Sequence, residues 1–107
     1  MLDFSQLRCF VAVAEELHFG RAASRLNMTQ PPLSRQIQVL ERILDVQLLD
    51  RTSRSVRLTA AGRSFLPEAR HILRLAETAT HVTRQVAAGR SGVLKLGFTA
   101  ASAYDFL

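Results

Sequence analysis

Polar side chains between residues 29 and 44 recur at helical spacing and could contact the edges of nucleic-acid bases. They share one face of a helix that carries no acid and no large apolar group: Gln30 at its edge, then Pro31, Ser34, Arg35, Gln38 and Arg42. Hydroxyl, amide and guanidinium groups hydrogen-bond to base edges and phosphates in a DNA major groove. On this helix alone, an ordinary solvated face explains the pattern equally well.

The other face of the same helix predicts packing against a core. Its apolar residues are spaced by four, three and four positions, namely Leu33, Ile37, Leu40 and Leu44. Thr29 is placed to cap the helix by accepting a bond from a backbone N–H of the first turn. Pro31 and Pro32 fit in that turn, where a missing N–H costs little.

Two shorter helical patterns precede this helix. Asp3 can cap a first helix running to about Leu17, whose apolar stripe is Leu7, Phe10, Val11, Ala14 and Leu17. His18-Phe19-Gly20 then breaks the helix, with His18 as a loop or capping residue, and residues 21–26 form a short second helix. Asn27 can take a left-handed conformation in the next turn. Two helices joined so closely are typical of a helix-turn-helix, whose second helix lies in the major groove.

A basic hairpin is predicted after the polar helix. Asp45 ends the helix, residues 52–55 are polar and turn-like, and residues 56–58 alternate as a short strand does. Three arginines stand close together here: Arg51, Arg54 and Arg57. Arg54 falls at the predicted tip, where a narrow minor groove would attract it. A solvated basic loop is the alternative interpretation.

The charge distribution agrees with a small basic domain that has a nucleic-acid partner. The chain has 107 residues, 48% of them hydrophobic, and a formal net charge of +5. Residues 1–17 hold one arginine against three acids, a balance of −2, whereas residues 18–57 hold seven arginines against three acids, a balance of +4. The excess therefore coincides with the polar helix and the hairpin, as an electrostatic footprint would.

Several function classes lack support in the composition. Cys9 is the single cysteine and is expected to be buried, so no disulfide framework and no cysteine metal site is predicted. No apolar run approaches the roughly 18 residues of a membrane span, and no signal peptide is evident. We therefore expect a cytoplasmic protein with no cofactor, no metal and no membrane partner.

A long helix is predicted from Ala60 to about Ala88, capped by Thr59 and stopped by Gly89. Such a helix would measure roughly 43 Å at 1.5 Å per residue, more than the preceding small domain can cover. Apolar residues at heptad spacing predict that it packs against a copy of itself. The predicted dimerisation residues are Phe65, Leu66, Ala69, Ile72, Leu73, Ala76, Ala79 and Val86.

The last residues predict the start of a second domain. Ser91-Gly92 is typical of a hinge, and residues 93–98 form an apolar strand pattern with one charge. Because one strand without a partner cannot fold alone, we expect residues 90–107 to belong to a domain that continues beyond them.

Residues 1 to about 90 resemble the N-terminal part of LysR-type transcriptional regulators. The motifs stand in the right order and spacing: Val13-Ala14-Glu15, Ala22-Ala23, Thr29-Gln30-Pro31-Pro32-Leu33-Ser34-Arg35-Gln36-Ile37, Leu48-Leu49-Asp50-Arg51 and Leu58-Thr59-Ala60-Ala61-Gly62. The resemblance implies a mainly α fold, with a winged helix-turn-helix over residues 1–58 and a dimerising linker helix over residues 59–89. It also implies that residues 90–107 are the hinge and first strand of a truncated effector-binding domain. Asp45 departs from the usual Gly, and Leu49 from the frequent Phe.

The resemblance also implies which side chains contact DNA. It places Gln30, Pro31, Pro32, Ser34 and Arg35 in the major groove, and the open helix face adds Gln38. It places Arg54 in the minor groove and Arg51 on phosphate or in a structural contact. We expect the neighbouring polar residues to face the wing or the phosphates as well: Thr29, Thr52 and Ser53.

The leading hypothesis is a dimeric, sequence-specific DNA-binding module of a bacterial regulator that responds to a small-molecule inducer. Its partners would be double-stranded promoter DNA and a second copy; a tetramer of the full-length protein and contact with RNA polymerase are left open. Similarity to regulators of aromatic-compound breakdown hints at the inducer class. The operator sequence and the choice between activation and repression are not predicted.

Two rival functions explain fewer of these features. A protein-interaction module built on the long helix leaves the basic wing and the acid-free helix face unexplained. An enzyme is not supported, since neither Cys9 nor Ser34 has an evident base partner in the sequence and no glycine-rich phosphate loop occurs.

Overall fold

Four helices and a two-stranded hairpin follow one another in the computed structural model, which describes residues 1–52 and 54–89. Their bounds are α1 Phe4–Glu16, α2 Phe19–Arg25, α3 Gln30–Leu44, β1 Leu49–Arg51, β2 Val56–Leu58 and α4 Ala60–Ala87. The predicted mainly α, winged helix-turn-helix with a long final helix is confirmed. The predicted hinge, the predicted strand over residues 93–98 and Ser53 lie outside the described residues.

Helix α1 begins at the predicted cap but ends before the predicted stripe does. Asp3 and Gln6 form a reciprocal capping box, in which the Gln6 N–H donates to Asp3 Oδ1 over 2.9 Å and the Asp3 N–H donates to Gln6 Oε1 over 3.1 Å. Leu17 takes a left-handed conformation with a φ of 51° and is exposed. The prediction that Leu17 belongs to the apolar stripe was wrong, because this residue ends the helix.

Helix α2 begins two residues earlier than predicted, at Phe19, so the break is confined to Leu17 and His18. The predicted capping role of His18 is confirmed, since the backbone N–H of Arg21 donates to His18 Nδ1 over 2.9 Å. Asn27 has a φ of 55°, also as predicted. The turn therefore places α3 directly after α2 with one left-handed residue between them.

The core lies where α1, α2 and α3 meet the first turns of α4. Its largest fully buried side chains include Phe10, Leu7, Leu33 and Leu40. The Phe65 ring of α4 lies 5.6 Å from the Phe10 ring between centroids. Each such side chain contributes roughly 1.5–3 kcal/mol on burial, which fixes the buried face of α3 and leaves its other face outward.

The corner between α3 and the wing is organised around Leu48. Glu41 Oε2 accepts hydrogen bonds from the backbone N–H groups of Leu48, over 2.8 Å, and Leu49, over 3.2 Å. The Leu48 carbonyl accepts from the Thr59 N–H over 3.0 Å, and a Cβ at Gly62 would overlap that carbonyl oxygen. Residue 62 must therefore be glycine for α4 to begin this close to the corner.

Helix α3 ends at Asp45, which has a φ of 55°. This left-handed position is one that glycine adopts without a Cβ penalty and that Asp visits more readily than most residues. Asp45 therefore takes a backbone conformation that the family's usual Gly could also take.

The wing has the predicted antiparallel pairing. Leu49 lies opposite Leu58 and Arg51 opposite Val56 in the register of β1 and β2. The predicted cap of α4 is also confirmed, because the Gly62 N–H donates to Thr59 Oγ1 over 3.0 Å. Thr59 Oγ1 in turn donates to the Gln47 carbonyl over 2.6 Å, which ties α4 to the corner a second time.

The predicted dimerisation residues of α4 fall into two groups. Contacts divide the chain after Leu73. Before this point Ala69 is fully buried in the core, and four others are partly buried against it, namely Phe65, Leu66, Ile72 and Leu73. After it, Leu75, Val82 and Val86 are 58%, 39% and 51% exposed. Leu75 and Val82 were not among the predicted dimerisation residues, and dimerisation through any of these residues stays a prediction.

An ion-pair network joins α1, α2 and the first part of α4. Glu15 accepts from Arg25 Nη2 over 2.7 Å and from Arg70 Nη2 over 2.8 Å. Partial burial alone would raise the pKa of the Glu15 carboxyl, but the hydrogen bonds from Arg25 and Arg70 outweigh it and hold that pKa below its ordinary value.

Glu15→Gln should reduce the acid sensitivity of folding. A carboxyl whose pKa is lowered in the folded state stabilises the protein fully above its unfolded-state pKa, and this contribution is lost as the pH falls through the folded value. Because these side chains are partly exposed, we expect a loss of about 0.5–1 kcal/mol near neutral pH. The difference from wild type should shrink between about pH 5 and pH 3.

Urea unfolding across this pH range measures the effect. Glu77→Gln is the control, since Glu77 is exposed on α4 and makes no ion pair among the described residues. Parallel pH profiles for the wild type and Glu15→Gln would contradict the assignment.

Candidate nucleic-acid interface

The start of α3 differs from its predicted capping. Thr29 occupies the cap position in an extended conformation, but its side chain makes no capping hydrogen bond. The physical reason lies in the sequence, because a cap accepts from the N–H of the second or third helical residue and these residues are Pro31 and Pro32. The Thr29 hydroxyl is exposed and remains available to a ligand.

The open face of α3 is presented outward as predicted. Ser34 is half-buried and the other residues of this face are exposed, namely Gln30, Pro31, Arg35, Gln38 and Arg42. Pro32, which the resemblance adds to the predicted contacts, is half-buried as well. Glu41 is the one acid of α3, and its carboxylate is engaged by the backbone at the Leu48 corner. The outward face therefore presents donors and amides without a carboxylate that would repel phosphate.

Arg51 has a structural role in addition to its positive charge. The carbon between its guanidinium nitrogens lies 4.4 Å from the centre of the Phe19 ring, a stacking cation–π geometry. Arg51 Nη1 also donates to Ser34 Oγ over 3.3 Å. One side chain of the wing thus contacts both α2 and α3, and its guanidinium is positioned beside the predicted DNA-contacting face.

The wing tip is ordered by Thr52. Thr52 Oγ1 accepts from the backbone N–H groups of Arg54 and Ser55 over 3.2 and 3.1 Å, and the Thr52 N–H donates to the Ser55 carbonyl over 2.9 Å. The hydroxyl predicted to face phosphate is therefore used to shape the turn. This turn presents Arg54 as an exposed side chain.

The seven arginines of residues 18–57 fall into two groups, those that form ion pairs and those that do not. Arg21 and Arg25 are bound by Glu15 and Glu16 of α1 at N–O distances of 2.7–3.6 Å. The others make no ion pair within residues 1–52 and 54–89: Arg35, Arg42, Arg51, Arg54 and Arg57. The positive charge that no acid neutralises is therefore confined to α3 and the wing, a smaller region than residues 18–57 as a whole.

A groove of about 430 Å³ runs between the start of α2 and the wing. Its lining includes His18, Gln30, Arg51, Thr52 and Arg54. It is shallow and polar, and it joins the first residue of α3 to the wing tip. Such a surface fits an extended anionic backbone better than an enclosed small molecule.

Other chemistry finds little support in the described part of the chain. Burial raises the pKa of the Cys9 thiol, which leaves it unreactive as a nucleophile. No group of three or more His, Cys, Asp or Glu side chains there could hold a metal ion. None of its helices combines the length and the apolar character needed to cross a membrane.

Comparison with known sequences gives a family match. Residues 4–63 match the family described as "Bacterial regulatory helix-turn-helix protein, lysR family". The HTH-type transcriptional regulator YnfL of Escherichia coli (strain K12) is 52% identical over 103 residues, which cover 96% of this chain and 35% of YnfL. The chain thus spans about a third of the length of this relative.

Solved structures of DNA-binding domains in complex with DNA have a fold similar to that of this chain. The complex of the CbnR DNA-binding domain with DNA has a TM-score of 0.78 and 48% identity, covering 80% of this chain and 99% of that one. The complex of the BenM DNA-binding domain with benA site 1 DNA has a TM-score of 0.78 and 44% identity, covering 82% and 99%.

Arg51→Lys should destabilise the protein by about 0.5–1 kcal/mol, because lysine keeps the charge but loses the planar stacking on Phe19 and the fork that reaches Ser34. Arg57→Lys is the matched control, since Arg57 is an exposed wing arginine with no ion pair among the described residues. Denaturant unfolding should leave the control within a few tenths of a kcal/mol of the wild type. Equal losses in the two variants would refute the structural role of Arg51.

Proposed function

The chain belongs to the lysR family of bacterial regulatory helix-turn-helix proteins, and we propose on that premise that it is the sequence-specific DNA-binding part of a dimeric transcriptional regulator. One observation supports this most directly. The outward face of α3 offers amide, hydroxyl and guanidinium groups with its single carboxylate turned into the corner. The family consists of regulatory proteins, and no catalytic arrangement of side chains was found among the described residues.

We assign α3 to the major groove. Its buried stripe is held against the core, so that Gln30 and Arg35 are exposed and Ser34 lies half-buried beside Arg51. Arg contacts guanine O6 and N7 with two parallel bonds, and Gln pairs in the same way with adenine N6 and N7. Pro31 and Pro32 expose apolar surface at the same end, suited to contact with a thymine methyl group.

We assign the wing to the minor groove and the adjacent phosphates. Arg54 stands at a turn shaped by Thr52 and has no acidic partner among the described residues. Arg51 and the exposed Thr29 hydroxyl flank α3, where phosphates pass at the edge of the groove. These contacts would set the register of α3 on the duplex without specifying sequence.

Dimerisation is proposed from the apolar residues of α4 that the chain leaves exposed. Leu75, Val82 and Val86 make a stripe that a soluble monomer rarely presents to water. A two-fold dimer would also present two α3 helices to one face of DNA, at half-sites about one helical turn or more apart. A tetramer, contact with RNA polymerase and a response to a small-molecule inducer stay predictions.

We propose that the protein acts in the cytoplasm, because its proposed partner is bacterial DNA. Selection of bound duplexes from a random-sequence pool tests the function. We expect an enriched motif with two related half-sites and a steep fall of affinity with salt, since neutralised phosphates release counterions. Retention of all sequences alike, at every salt concentration, would overturn the proposal.

Arg35→Ala should reduce discrimination as well as affinity, by roughly 1–3 kcal/mol on the selected motif, if Arg35 makes a bidentate contact with guanine. Arg8→Ala serves as the control, because Arg8 is exposed on α1 and has no ion-pair partner among the described residues. Fluorescence titration on the motif and on random duplex separates the effects. Equal weakening on both duplexes would demote Arg35 to a phosphate contact.

Arg54→Ala should weaken binding most on sites flanked by A·T pairs, because a narrow minor groove concentrates negative potential. Titration of wild type and variant on two duplexes measures this, with the selected core kept constant and the flanks changed from A·T to G·C. Arg57→Ala provides a second wing arginine for comparison. A loss that is independent of the flanks would exclude the minor-groove assignment.

A further inference from the structure

The Ser34 hydroxyl is the point at which a side chain of the wing contacts α3. Arg51 Nη1 donates to Ser34 Oγ over 3.3 Å. A guanidinium group carries only hydrogen-bond donors, so the Ser34 oxygen must be the acceptor in this pair. A hydroxyl also has one proton to donate, and the contact with Arg51 does not use it.

The Ser34 proton is not used within its own helix either. A helical Ser or Thr can donate to the carbonyl four residues earlier, as Thr80 does to the Ala76 carbonyl over 3.0 Å. Ser34 makes no such bond within residues 1–52 and 54–89. Its neighbours on the outward face of α3, Arg35 and Gln38, are exposed. The hydroxyl proton is therefore available to an acceptor that lies outside the protein.

Arg51 is held from its other side by an aromatic ring. The carbon between its guanidinium nitrogens lies 4.4 Å from the centre of the Phe19 ring, which is itself packed against the core. Stacking on the ring restricts the planar guanidinium to fewer orientations. Arg51 also belongs to β1, where it pairs with Val56. The Ser34 oxygen thus accepts from a cation whose position is fixed by the fold.

We propose that Arg51 is a positioning residue that makes Ser34 a hydrogen-bond donor to DNA. The guanidinium occupies one lone pair of the hydroxyl oxygen, and its positive charge disfavours a second N–H group on the other lone pair. The same charge turns the hydroxyl proton away from Arg51. This inference rests on the proposed function and adds to it the direction of one contact and the residue that sets this direction.

A donor at Ser34 selects hydrogen-bond acceptors on the duplex. In the major groove the acceptors are N7 of either purine, O6 of guanine and O4 of thymine, whereas the amino groups of adenine and cytosine are donors. A phosphate oxygen is an acceptor as well. The partner of Ser34 is thus an oxygen or nitrogen lone pair, and modified duplexes distinguish a base from a phosphate.

Removal of single acceptors from the selected motif tests the donor role in the 107-residue chain. One set of duplexes carries, one position at a time, a base analogue that lacks purine N7, guanine O6 or thymine O4. A second set carries one methylphosphonate at a time in place of a phosphate. At one position, removal of the acceptor should weaken the wild type about three- to tenfold more than Ser34→Ala, because the variant has no bond to lose.

The set that contains this position identifies the partner as a base or as a phosphate, and either result supports the donor role. Equal responses of the wild type and Ser34→Ala to every duplex would overturn it.

A double-mutant cycle tests the part played by Arg51. Arg51→Met keeps a long side chain over Phe19 but has no N–H group to donate. In this background the loss of affinity caused by Ser34→Ala on the unmodified motif should shrink from about three- to tenfold to less than about twofold. Arg57→Met is the matched control, since Arg57 is an exposed wing arginine with no ion pair among the described residues. The Ser34→Ala loss should keep its wild-type size there.

The outcomes separate this inference from the proposed function. An undiminished Ser34→Ala loss in Arg51→Met would overturn the positioning role while leaving sequence-specific binding intact. A pool that yields no enriched motif would overturn the proposed function and this inference with it. Circular dichroism checks folding. If Arg51→Met unfolds, Arg51→Lys replaces it, because lysine lacks the fork that reaches Ser34, with the same reduction expected and the same undiminished loss counting against the proposal.

Discussion

The arrangement of α3 and the wing, the parts proposed to contact DNA, depends on the peptide groups of Leu48. Its N–H is bound by Glu41 at the end of α3, and its carbonyl is bound by Thr59 at the start of α4. A buried peptide group left without a partner would cost about 1–3 kcal/mol, so both contacts restrain the corner. Since β1 begins at the next residue, the position of the wing relative to α3 is set here. Gly62 allows the close approach that the arrangement requires.

Some polar side chains in this protein hold elements together, whereas others face solvent without a partner among the described residues. Arg25 ties α2 to α1, Glu41 ties α3 to the start of the wing, and Arg51 ties the wing to α2 and α3. In contrast, the side chains of Thr29, Arg35, Gln38 and Arg54 make no hydrogen bond within residues 1–52 and 54–89. A rigid frame that leaves such groups without internal partners is preorganised for binding, because little internal bonding must be broken when a ligand arrives.

Sequence periodicity was sufficient to predict the helices, the wing and the outward face of α3, because each of these is determined by local spacing. Periodicity failed to predict the role of a side chain where contacts with a second element decide that role. The cap at Thr29 was predicted from residue type, yet Pro31 and Pro32 remove the donors. Arg51 was predicted to contact either phosphate or another part of the protein. Only the fold shows that its side chain contacts Phe19 and Ser34. Thr52 likewise looked like a phosphate ligand until the turn placed two backbone N–H groups on its hydroxyl.

Helix α4 shows why the spacing of apolar residues alone does not identify the surface against which each residue packs. Two sets of residues lie on it at compatible spacings, and the sequence offers no sign of which set the domain covers. Ala69 and Phe65 are held by the core around Phe10, whereas Leu75 and Val82 are left exposed. Which apolar residues of α4 are buried is therefore decided by contacts with the core around Phe10, and the spacing along the helix does not contain this information.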